Sequence, residues 1–242
     1  MFLSHPRSLF CLLACGVSMI CLLFFESTLA KWLKNEYSIN ASWNGIIFAV
    51  PCLFYAGSSP FVSMLTKIMQ RRLIIFFAFI LNVIALWLMG PSELLGFPSR
   101  SYNQWLTYIG LALNGVSISF IFVPLLPEIL YVVGTAEGLS DDNNELNDKA
   151  SGIYNVAYAS GTILAPNIGG ILAEHFGFRI MCDSLAVFSL CFSIIFLFAN
   201  VGLKTFCDIK PDPKLHGSKK KKGGSVHETD PKELLKNTET SD

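Results

Sequence analysis

Six apolar runs stand between Leu9 and Val201, parted by short polar turns and followed by a charged tail. Each run is about the ~20 residues that a helix needs to cross a ~30 Å hydrocarbon layer, so lipid rather than water is the solvent that shapes the fold. The sequence predicts an all-α membrane protein: a six-transmembrane-helix bundle with spans at residues 9–33, 43–64, 73–90, 105–133, 150–173 and 180–201. Composition agrees, because 52% hydrophobic and 15% charged residues are too apolar a mix for an ordinary soluble domain. For the first run a second reading stands beside the spanning helix. His5 and Arg7 before it and Thr28-Leu29-Ala30 after it fit a signal peptide, although the apolar stretch at 9–25 is longer than the usual ~7 to 15 residue core.

The formal net charge is zero, and charge is crowded into the turns and the segment after Lys204, which leaves no basic face for nucleic acid. Cys11, Cys15, Cys21, Cys52, Cys182 and Cys191 lie within or at the end of apolar runs without the paired spacing of a zinc site or disulfide framework. They read as small buried hydrophobes, and no metal or cofactor is expected. Lys67, Arg71 and Arg72, together with the lysines of the tail, fall on one side of the membrane when the spans alternate. By the positive-inside rule that side is cytoplasmic and holds both termini. Asn40-Ala41-Ser42, a glycosylation acceptor pattern, lies in the first turn on the opposite side. The domain division is a bundle at 1–203 and a disordered cytoplasmic tail at 204–242, whose polar composition buries too little surface to fold.

Helices in lipid gain little from hydrophobicity when they meet, so small residues that let backbones approach hold a bundle together. The fifth span supplies them: Ala157, Gly161, Ala165, Gly169 and Ala173 recur every four residues, with Gly170 beside them. Pro166 removes a backbone donor in the middle of that helix and is expected to bend or soften it. Pro51 and Pro60 do the same in the second span, as do Pro124 and Pro127 in the fourth, a pattern suited to a protein that moves.

An acid within a span is costly and usually faces a cavity or a partner. Glu26 lies in the first span and Glu128 in the fourth, at different depths, too far apart to act as a pair. Glu26 reads either as a cation or proton site or as a carboxylate that reaches the interface or pairs with Lys31. Glu128 reads either as a site residue or as the solvated end of its helix. Asn114 and Ser117 in the fourth span, and Tyr154, Asn155 and Tyr158 in the fifth, are the polar groups able to join Glu26 in a cavity. Aromatic rings beside a carboxylate make walls for an organic cation, while hydrogen bonds between packed helices are the competing explanation. No nucleophile, general-base pair or phosphate loop is present, so the chain does not read as an enzyme.

The stretch GTILAPNIGG at 161–170 resembles the glycine-proline-glycine-glycine motif of major facilitator antiporters, with Ala165 where glycine is usual. The turn at 67–72 stands where that family has a charged turn, but lacks its glycine and aspartate. Phe25-Glu26-Ser27-Thr28-Leu29, Ser58-Ser59-Pro60, Gly90-Pro91 and Val123-Pro124-Leu125-Leu126-Pro127-Glu128-Ile129 are similar to the second half of vesicular amine transporters, nearest the polyamine branch. The resemblance implies half of a major facilitator fold, with Glu26 matching an intramembrane acid for cation binding or proton exchange and Glu128 the acid after the paired prolines. It implies proton-coupled antiport of an organic cation, such as an amine or polyamine, at a vesicle or vacuole membrane.

Members of that family have twelve helices in two halves, with substrate held between them. Six helices therefore imply a second six-helix half: a missing N-terminal half, a second copy or a partner chain. The alternative function is a non-transporting membrane scaffold or regulatory half-transporter.

Overall fold

A computed structural model describes residues 6–92, 96, 104–137 and 144–201; the tail expected at 204–242 lies outside the described residues. The helices are α1 (Pro6–Leu23), α2 (Leu29–Tyr37), α3 (Ala41–Leu65), α4 (Arg71–Met89), α5 (Gln104–Glu137), α6 (Asn144–Phe176) and α7 (Phe178–Phe196), with a π turn at Leu197–Val201. All but α2 are long and apolar enough to cross a bilayer, giving six spans. The chain is an integral, multi-pass, all-α membrane protein.

α5 forms the spine. Leu111, Ile118, Ile121, Leu125, Ile129 and Val133 recur at three-, four- and seven-residue steps and are fully buried, so one apolar stripe faces the bundle along most of its length. Around it pack α4, α3 and α1, while α6 lies against α1 and α7 against α4. Bare glycines set the closest approaches. A side chain at Gly110 would strike the α4 backbone at Met89, and one at Gly115 would strike the Pro51 carbonyl of α3. The small-residue stripe of α6 meets α1: Gly161 lies on the Gly16 carbonyl and Gly169 on the Phe24 carbonyl, with Ala165 fully buried between them. Each contact is the close backbone packing that association in lipid requires.

The first span departs from expectation. A continuous helix at 9–33 is expected, but α1 stops at Leu23 and α2 starts at Leu29. Between them the backbone tightens, with the Glu26 N–H on the Leu23 carbonyl and the Thr28 N–H on the Phe25 carbonyl, both at 3.1 Å. Such three-residue spacing is the 3₁₀ pattern that often marks a hinge in a helix. The prolines leave their helices unbroken. Pro51, Pro60, Pro124, Pro127 and Pro166 all sit inside helices that continue through them. The bundle thus breaks where there is no proline and holds where there are five.

α6 and α7 are joined by Gly177 alone, at φ 84°, in the left-handed region that favours glycine. α2 ends on Ser38 at φ 54°, whose N–H returns to the Lys34 carbonyl at 3.1 Å. Packed beside these turns, Trp32 stacks on Phe178 with ring centroids 4.5 Å apart. Large side chains such as Leu53, Phe61 and Ile163 stay 67 to 71% exposed on α3 and α6, as suits surfaces that do not face water.

Candidate functional site

A cavity of about 670 Å³ opens between α1, α3, α5 and α6. α6 contributes Tyr154, Asn155 and Tyr158; Tyr158 stands three residues past Asn155 and four past Tyr154, so it shares a helical face with each. α5 contributes Phe122, whose ring lies 6.5 Å from Tyr154 and 6.1 Å from Tyr158. Tyr55 and Cys52 come from α3, and Met19 and Leu22 from α1. The walls are thus mainly rings and apolar groups, with an amide and three phenols as polar handles. A cavity of this size and make-up accepts a small organic molecule, and exposed ring faces favour a cationic one.

Of the sequence-predicted site residues, Tyr154, Asn155 and Tyr158 meet in this cavity; Glu26, Asn114 and Glu128 do not line it. Glu26 lies on the tight turn after α1, exposed, four residues past the cavity-lining Leu22. Its carboxylate has no ion-pair partner among the described residues, so the alternative pairing with Lys31 is not made. Lys31 instead lines a second hollow of about 400 Å³ beside the turn, with Ser27, Thr28, Asn35 and Glu174. Farther along α2, burial raises the Tyr37 phenol above its ordinary value, and its ring meets Trp32 edge-on at 5.0 Å.

Asn114 belongs to a buried ladder of polar groups that ties four helices. Its Nδ2 donates to the Cys21 carbonyl of α1 at 3.1 Å. The Ser117 hydroxyl donates to the Asn114 carbonyl at 2.8 Å and accepts from Asn82 Nδ2 of α4 at 3.0 Å. The Ser189 hydroxyl of α7 donates to Asn82 Oδ1 at 3.4 Å. Interhelical hydrogen bonding, the competing reading of Asn114 and Ser117, is what these contacts make.

Glu128 is no solvated helix end, because α5 runs on to Glu137 and the residue is only 2% exposed. It accepts from Arg72 Nε at 2.8 Å, and Arg72 reaches the Asn200 carbonyl at 3.4 Å. Neighbouring Arg71 donates to the Pro127 carbonyl at 2.9 Å. Both arginines of the second turn are therefore fastened to α5. On α6, Gly161, Ala165 and Gly169 are buried against α1, Gly170 sits beside Ser27, and Pro166 is exposed on the outer face.

Three participants escape the sequence reading. Tyr55 lies between two prolines and shows its role only once α3 packs. Asn82 is a lone amide in an apolar run. Asp183, 5% exposed inside α7, carried the same signal as Glu26, an acid within a span. The cysteines divide: Cys11, Cys15, Cys21 and Cys182 are buried as expected, whereas Cys191 and the cavity-lining Cys52 are exposed.

Six spanning helices around a ring-lined cavity define a membrane bundle with the architecture of one half of a major facilitator fold. Curated relatives agree. Over 161 residues the chain is 30% identical to the MFS-type transporter SLC18B1 of Rattus norvegicus and 29% identical to that of Mus musculus, covering 66% of this chain and 34% of each relative. Over 175 residues it is 27% identical to the multidrug resistance protein MdtG of Salmonella typhi, covering 72% of this chain and 38% of the relative. No protein-family profile matches. The chain is similar to one half of the major facilitator transporters of the SLC18 branch, and it spans about a third of the length of the curated relatives it matches.

Proposed function

We propose that the chain forms half of a secondary active transporter that exchanges protons for an organic cation, an amine or polyamine, with a second six-helix half completing the path. The observation that carries this reading is the cavity of Tyr55, Phe122, Tyr154, Tyr158 and Asn155, with an acid four residues past the cavity-lining Leu22. The ring faces attract a cation electrostatically. Glu26 supplies the exchangeable charge, taking a proton when the cation leaves. Glu128 stays with Arg72 and takes no part in binding. The small-residue face between α1 and α6 lets these helices shift against each other as the cavity changes access. With the lysine-rich tail and the turn at 67–72 cytoplasmic, the opposite end opens into the lumen of a vesicle or vacuole.

Uptake into liposomes tests this. With an imposed pH gradient, the assembled protein accumulates a labelled polyamine or amine, and Glu26→Gln abolishes accumulation. Full uptake by Glu26→Gln removes that residue from the mechanism. Absence of gradient-driven uptake of any organic cation by well-folded, assembled protein favours the scaffold instead.

A further inference from the structure

The first span breaks without a proline, and the cause lies on another helix. α1 ends at Leu23, so its last carbonyls need partners that a continuous helix would have supplied. The Ile20 carbonyl accepts the Phe24 N–H and the Leu23 carbonyl accepts the Glu26 N–H, each at 3.1 Å. The Cys21 carbonyl would pair with the Phe25 N–H in an unbroken helix. It accepts Asn114 Nδ2 instead, and among the described residues the Phe25 N–H donates to no backbone carbonyl. A side chain inserted into the ladder of backbone bonds is a known cause of a break. Asn114 is fully buried, and its own position is held through Ser117, Asn82 and Ser189.

The register of Glu26 depends on that bond. In a continuous helix Glu26 stands one turn above Leu22 on the same face, and Leu22 lines the ring-walled cavity. With the Cys21 carbonyl held by Asn114, the turn tightens and Glu26 lines neither the cavity nor the neighbouring hollow. The geometry points to Asn114 as a positioning residue for Glu26. The Cys21 carbonyl has two alternative donors, the Asn114 amide and the Phe25 N–H, and exchanging one for the other carries Glu26 between an exposed turn and the cavity face. This rests on the reading of Glu26 as the exchangeable acid.

Amide hydrogen exchange on the full chain reads the switch directly. Phe24 and Phe25 are equally buried, so in the unaltered protein the Phe25 amide exchanges about tenfold faster than that of Phe24, the difference one backbone hydrogen bond makes. Equal protection of the two overturns the proposal with no variant needed. Asn114→Leu slows the Phe25 amide to the Phe24 rate, and Asn114→Gln, which keeps the donor, restores part of the difference. In uptake, Asn114→Leu lowers kcat with no rise in KM, because Glu26 stays on the cavity face. Unchanged Phe25 exchange in Asn114→Leu overturns the inference even where Glu26→Gln still abolishes uptake. Full uptake by Glu26→Gln overturns the functional reading and leaves the exchange result standing.

Discussion

Replacing Glu128 with glutamine keeps the side chain's length and removes the charge that faces Arg72. The two side chains are 2% and 10% exposed and their atoms meet at 2.8 Å, so water does little to screen the pair. With charge centres about 4 Å apart, the attraction is on the order of 4 kcal/mol at an effective dielectric constant near 20. Glutamine retains a neutral hydrogen bond of about 1 kcal/mol. Arg72 also keeps its contact with the Asn200 carbonyl. The expected loss is therefore about 3 kcal/mol, the lower end of the range for breaking a buried pair. At roughly 2 to 4 °C per kcal/mol for a chain of this size, that lowers Tm by about 6 to 12 °C. Thermal unfolding in detergent of the parent, Glu128→Gln, Arg72→Met and the double variant closes the cycle. Arg72→Met alone costs a similar amount, and the double variant recovers most of the loss because neither charge is left buried alone. Losses that simply add would refute the claim that the two residues act through each other. The exposed pair of Lys149 and Glu145, at 56% and 74% exposure, should show no measurable coupling in the same assay.

Gly169→Leu places a side chain on the Phe24 carbonyl and should lower stability by about 1 to 3 kcal/mol or more, whereas Gly170→Ala, with only the Ser27 hydroxyl 4.0 Å away, should leave the unfolding curve unchanged. Cys52 lines the cavity and is exposed, so in a background lacking Cys191 and Cys207 it should react with a water-soluble maleimide in the assembled protein, more slowly when a polyamine is bound. Labelling that ignores the polyamine would separate the cavity from the binding site.

All six spans are legible in the sequence because a membrane helix satisfies its backbone within a single apolar run, so the information is local. The small-residue stripe of α6 is legible for a related reason: only a repeat of about one turn puts Gly161, Ala165 and Gly169 on one face. The break in the first span is not legible, since its cause, Asn114, stands 93 residues away and acts on a backbone carbonyl that no residue type reveals. Glu128 misleads for the same reason. Its place near a helix end suggests water, but its partner is 56 residues away and the helix continues past it. Tyr154, Asn155 and Tyr158 are readable as a group because helical spacing alone aligns them, and the two helices opposite them, with Tyr55 and Phe122, are a matter of packing.

The single-glycine joint between α6 and α7 has a mechanical result. At that joint Trp32 rests on Phe178, and Arg179 Nε donates to the Pro91 carbonyl at 2.8 Å, so the start of α7 is fastened to its surroundings. α6 leaves that joint as an arm of 33 residues, lying along α1 on its small-residue face. At ~1.5 Å per residue the arm is about 50 Å long, so a swing of ~10° about the joint would carry the end near Asn144 by about 9 Å while the end at Gly177 barely stirs.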